Sequence, residues 1–183
     1  MQLGNVLVFG GTGMLAEATG WVANHATHTI AFGRDPHKLA RLAKNYRIET
    51  KNLDYTDMDA LRENVINAYK EHKAIHMVVA WIHRTSPQAV FVIKDTLNQL
   101  QPHQQWTLLL IKGSSSRLSD IKETQEESLP NCTIKEVRLG FKIEAQGSRW
   151  LTHGEISDGV IQAIRGNDKE TIVGTLEPWH KRP

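Results

Sequence analysis

A chain of 183 residues suits one domain, and at that size roughly 70% of the unfolded surface can be buried without disulfides or a structural metal. Hydrophobic residues make up 40% and charged residues 23%, which excludes a disordered chain, and 22 Lys and Arg against 20 Asp and Glu leave no basic footprint for nucleic acid. No apolar run reaches the roughly 20 residues that span a bilayer, and no basic stretch precedes an apolar leader. The single Cys132 has no partner for a disulfide, and no Cys and His spacing suggests a metal site, so a reducing cytoplasm is the expected compartment.

Residues 5–9 form a short apolar run without alternation, as expected of a parallel strand covered on both faces. A glycine turn follows, then a helix over 14–24 and a second strand over 28–32. Pro36 opens a helix over 36–45 with Leu39, Leu42 and Ala43 on one face, and a weaker strand follows at 47–53. Thr56 or Asp57 caps a helix running to about residue 71, which leads into an apolar strand over 75–82. Ser86 and Pro87 start a helix that reaches residue 100, and 105–111 is the fifth strand.

Beyond Lys112 the rhythm changes. Residues 113–119 are small and polar, and 120–128 is short for a helix that spans the sheet. A strand resumes at 132–139, Thr152 and Glu155 form a potential capping box for a helix over 152–164, and 171–174 supplies an edge strand. Residues 1–176 are thus expected to form one α/β domain, with 177–183 a loose C-terminal tail. Strands alternating with helices predict a doubly wound parallel sheet in three layers, with ligands outside the carboxyl ends of the strands.

The chemistry concentrates in Gly10-Gly11-Thr12-Gly13-Met14-Leu15-Ala16, between a predicted strand and a predicted helix. Its glycines let the backbone approach a pyrophosphate, whose charge is stabilised by free amides and the positive end of the helix dipole. The blander alternative is a tight turn that binds nothing. A nucleotide domain selective for NAD carries an acid at the end of its second strand, whereas this chain reads Phe32-Gly33-Arg34. A guanidinium fits a 2′-phosphate, and Lys38 adds a second cation, so NADP(H) is favoured over NAD(H) unless Arg34 is merely a solvated partner of Asp35.

These residues resemble the short-chain dehydrogenase/reductase superfamily, and within it the atypical members with a GGTG-type turn. VLVFGGTGMLA is similar to that family's first strand and phosphate loop, AFGRDPHKL to its second strand, and NLDYTD to its adenine-side segment. VRLGF and WLTHGEISDGVIQAI are similar to its later segments. The resemblance implies a Rossmann-type fold and places Asp54 and Tyr55, and Ala80 and Trp81 after the fourth strand, at the cofactor. It also implies an oxidoreductase acting on a carbonyl or alcohol. The family's Tyr-x-x-x-Lys pair, however, belongs after the fifth strand, and this chain has no Tyr beyond position 69. Tyr69 and Lys73 match the spacing on a helix that enters the fourth strand, away from the cofactor. The family's N-A-G segment is replaced by Ala80-Trp81-Ile82-His83, a bulkier edge.

His83 is the remaining candidate proton donor, and Ser114 or Ser115, beside Ser116, could hydrogen-bond a substrate carbonyl, although each also suits an ordinary polar loop. Lys112 and Lys142 at strand ends, and Trp81, Trp106 and Trp150, are weaker candidates. Two functions stay open: an NADP(H)-dependent oxidoreductase with a rearranged proton donor, and a nucleotide-binding sensor without turnover. The expected partner is a small-molecule nucleotide, with neither nucleic acid nor membrane, and a homo-oligomer is compatible with the sequence.

Overall fold

In the computed structural model, residues 1–82, 86–113 and 129–183 are described. The first five strands expected along the chain are found as β1 (Asn5–Phe9), β2 (His28–Gly33), β3 (Glu49–Asn52), β4 (Met77–Ala80) and β5 (Trp106–Lys112). They alternate with α1 (Ala16–His25), α2 (Pro36–Asn45), α3 (Met58–His72) and α4 (Pro87–Leu100). β6 (Cys132–Leu139), an antiparallel hairpin of β7 (Phe141–Glu144) and β8 (Gly147–Trp150), α5 (His153–Arg165) and β9 (Glu170–Val173) complete the order. The sheet runs β3-β2-β1-β4-β5-β6-β9, parallel throughout, so the strand order reverses between β1 and β4. A crevice at the carboxyl ends of the strands is the geometric consequence of that reversal.

Alternate residues of each strand feed opposite cores. Val6 and Val8 of β1 join Ala18 and Val22 of α1, Leu42 of α2 and Ile156 and Val160 of α5. Leu7 and Phe9 join Leu61 and Val65 of α3 and Ile93 and Leu97 of α4 on the other face. Both faces being covered explains why β1 reads as an unbroken apolar run. Phe9 and Phe32, paired in register on β1 and β2, stack with ring centroids 4.7 Å apart and so brace the base of the glycine turn.

The local signals act as expected where side chains reach backbone. Asp57, rather than Thr56, caps α3 by accepting the Ala60 amide, and Thr152 and Glu155 complete both bonds of a capping box on α5. Two expectations need correction. Residues 141–150, to which the sequence assigned no element, form the β7–β8 hairpin around Ala145 and Gln146, with Gly147 at φ +140. Residues 177–183 are not loose: Trp179–Lys181 make a turn of 3-10 helix, the Ser148 hydroxyl donates to the Lys181 carbonyl, and the Arg182 guanidinium lies 4.0 Å from the Trp179 ring. Residues 120–128 lie outside the described residues.

Candidate functional site

β1 delivers Gly10 to the carboxyl edge of the sheet, and each glycine of the turn then has a different reason to be there. Gly10 adopts φ +74, and a Cβ on it would stand 2.4 Å from the Trp81 carbonyl oxygen. On Gly11 a Cβ would stand 2.5 Å from Thr19 Oγ1 and 2.6 Å from Val8 Cγ1. Both positions are closed by the protein itself. Gly13 is exposed, its φ lies outside the left-handed region, and a Cβ there would meet nothing within 4 Å. The fold leaves that position open, and a group approaching from outside is what would fill it.

The turn is held in place from beneath. The Thr19 hydroxyl lies 3.0 Å from the Gly11 carbonyl and 2.8 Å from that of Leu15, and the Ser157 hydroxyl of α5 donates to the Met14 carbonyl over 3.1 Å. Leu15 is buried in the core, so what residues 10–15 offer outward is mainly backbone, with Thr12 half-buried beside Gly33. No side chain caps α1 at Leu15, which leaves the first-turn amides of that helix to other partners. Thr19 and Ser157 were missed by sequence reasoning. The i−4 contact of a mid-helix Thr is a local signal that could have found the first, whereas Ser157 lies 143 residues from Met14 and has none.

At the carboxyl end of β2, Arg34 is exposed and its guanidinium carbon lies 6.0 Å from the Tyr55 ring centroid. Asn52 Nδ2 donates to the Arg34 carbonyl over 3.0 Å and ties the end of β2 to that of β3. Asp35 does not hold Arg34. It caps α2, accepting the amides of His37 at 2.9 Å and Lys38 at 3.1 Å, and the Lys38 amide is the chief cause of its carboxyl falling below the usual range. Lys38 stands 4.0 Å from the same carboxylate and is half-exposed. Asp54 accepts the amide and hydroxyl of Thr56, at 3.0 and 2.8 Å, which with a smaller pull from Arg34 lower its pKa. Arg34, Asp54 and Tyr55 are therefore brought together, Arg34 one strand and the other two residues two strands away from the glycine turn.

Ala80 and Trp81 end β4 on the other side of the turn. Ala80 is buried with its side chain in the α3 and α4 core, so only its backbone borders the crevice, while Trp81 is half-buried at the mouth. The candidate catalytic residues His83, Ser114 and Ser115 lie outside the described residues. Lys112 and Lys142 are engaged by carboxylates, at 2.6 Å from Glu136 and 2.5 Å from Glu155. Trp106 is buried at the start of β5 and Trp150 sits on the hairpin. Among the described residues Glu49, Glu71 and His72 bring metal-type ligand atoms within 4.8 Å of one another, but Lys51 already lies 2.9 and 3.5 Å from the two carboxylates.

Tyr69 and Lys73 lie at the end of α3, which enters β4 from its amino end, while the glycine turn lies at the carboxyl end of β1. Should a nucleotide bind at the glycine turn, Tyr69→Phe and Lys73→Ala are expected to leave its affinity unchanged in a fluorescence titration. A strong loss in either folded variant would relocate the site.

No protein-family model and no curated protein sequence matches the chain. Solved structures do. A metagenomic short-chain oxidoreductase in complex with NADP superposes with a TM-score of 0.69 at 14% identity, over 96% of this chain and 99% of that one. An NADH-dependent reductase complexed with NAD gives 0.72 at 12% identity, over 94% and 96%, and a short-chain type dehydrogenase/reductase from Mycobacterium ulcerans gives 0.69 at 14%, over 94% and 88%. The likeness covers 94–96% of the chain, which has the Rossmann-type fold of the short-chain dehydrogenase/reductase structures.

Proposed function

We propose that this protein binds a nicotinamide dinucleotide across the carboxyl ends of β1, β2 and β4, with NADP(H) preferred over NAD(H). The observation that carries this is Gly13: the fold makes no use of its missing side chain, yet it sits at the uncapped start of α1, where a pyrophosphate would meet both free amides and the positive helix end. The residues present fit such a group. The backbone of Gly11 to Leu15 holds the pyrophosphate, Arg34 and Lys38 meet a 2′-phosphate, and Asp54 and Tyr55 border the adenosine end. When bound, the nicotinamide supplies hydride transfer. In the oxidoreductase form of this proposal His83 donates the proton to a carbonyl, which Ser114 or Ser115 orients.

A second proposal, a nucleotide-binding sensor without turnover, is favoured by one observation: all Tyr residues lie at or before position 69, so no tyrosine follows β5. A carbonyl-reduction screen with NADPH separates the two. Among the described residues no helix is long and apolar enough to cross a membrane, and the cytoplasm is the proposed compartment.

Arg34 supplies the test of cofactor preference. Among the described residues it forms no salt bridge, so a 2′-phosphate would not have to displace a resident acid. A charge-assisted contact is worth about 1.5–3 kcal/mol. Arg34→Ala is therefore expected to narrow the preference for NADPH over NADH by roughly tenfold or more, read by isothermal titration with both nucleotides. Equal affinities in the unmodified protein would point to NAD(H) instead.

A further inference from the structure

The glycine turn divides the carboxyl edge of the sheet in two. Over β2 and β3 lie Arg34, Lys38 and Tyr55, and over β4 and β5 lie Trp81 and Gly113. The Trp81 side chain starts beside Gly10, its Cβ and Cδ1 being 3.1 and 3.2 Å from where a Cβ on Gly10 would stand. Its far end, Cη2, is 3.6 Å from the same point on Gly113. The indole therefore lies along the edge from the end of β1 to just beyond β5, with a glycine at each end of it. It packs against the core beneath α1 and α5 and is only half-buried, so the indole is not fully enclosed by the protein.

Connectivity then restricts what the indole can meet. A dinucleotide with its pyrophosphate at Gly13 and its adenosine end at Arg34 has its second nucleoside on the opposite side of the turn, over β4 and β5. We propose that Trp81 is the stacking platform for the nicotinamide ring, a role that rests on the nucleotide-binding proposal above. The π face of an indole attracts a flat heteroaromatic ring, and more strongly one that carries positive charge, as the oxidised nicotinamide does. Aromatic stacking of a base is worth enough that removing the platform lowers affinity by roughly tenfold or more.

The test uses two ligands that share the adenosine end. NADP+ carries the nicotinamide half, and adenosine 2′,5′-bisphosphate lacks it. In isothermal titrations of the full chain, Trp81→Ala is expected to weaken NADP+ roughly tenfold while leaving the bisphosphate unchanged, and Trp81→Phe to keep most of the NADP+ affinity. Where the alanine variant does not fold, Trp81→Leu replaces it, apolar but without an aromatic face. A parallel loss for both ligands would make Trp81 a packing residue only, a gain for NADP+ would make it an obstruction, and either overturns the inference, as does an unchanged NADP+ affinity. A wild-type protein that binds the bisphosphate as tightly as NADP+ overturns the platform alone. One that binds neither overturns the nucleotide site beneath it, and the platform with it.

Discussion

Gly13→Asp is expected to abolish nucleotide binding in a protein that still folds. The space where its Cβ would stand is empty to 4 Å and its backbone is outside the left-handed region, so the fold has no steric objection to the side chain. Stability should stay within about 0.5 kcal/mol of the parent, as for an exposed position away from packing. The proposed ligand does object: the carboxylate would stand where the pyrophosphate approaches, and a like-charge contact costs several kcal/mol, a loss of roughly hundredfold or more. Gly11→Ala shows the converse, because its Cβ would stand 2.5 Å from Thr19 and 2.6 Å from Val8 and must therefore disturb the turn itself. Circular dichroism and a nucleotide titration on the two variants check the pair. A folded Gly13→Asp protein with undiminished affinity would remove the phosphate from the glycine turn.

The largest expected loss of stability lies away from that turn, at Arg138. Among the described residues it is the largest fully buried side chain, with Nη2 2.8 Å from Glu136 Oε2 and Nε against Glu170. Lys112 completes the group by bonding the other Glu136 oxygen at 2.6 Å, so two cations and two anions span β5, β6 and β9. Removing one member of a buried pair typically costs 3–5 kcal/mol, because the partner charge stays buried. Since Lys112 still holds Glu136, Arg138→Leu is expected to cost about 3 kcal/mol, the lower end of that range. Urea unfolding measures it, and a loss below about 1 kcal/mol would show that solvent or a rearranged Lys112 replaces the guanidinium.

The parallel sheet could be read from residue order because its elements announce themselves locally. β1 is an unbroken apolar run, α2 begins at Pro36, and α5 carries its own capping box. The β7–β8 hairpin had a weaker signal, the alternation of Phe141, Lys142, Ile143 and Glu144 before a glycine, and four residues of alternation are too few to separate a hairpin from a loop. Residues 177–183 were expected to be loose because their contacts come from Ser148 and Trp150, far away in sequence. At the site, the spacing of the glycines was visible but their separate roles were not. Only the packed structure distinguishes Gly10 and Gly11, closed off by Trp81, Val8 and Thr19, from Gly13, which faces open space. The capping role of Asp35 likewise needed the helix in place before Arg34 could be separated from it.

The bond from Ser157 to the Met14 carbonyl joins α5 to the turn after β1, across 143 residues. During synthesis the glycine turn leaves the ribosome well before the helix that braces it, since Ser157 follows Met14 by 143 residues. Until α5 has emerged, the nascent chain carries the glycine turn without its brace and without the apolar face of α5 that packs against α1. Loop closure over such a distance is slow compared with local helix formation, so the turn gains its brace only after α5 has folded back onto α1.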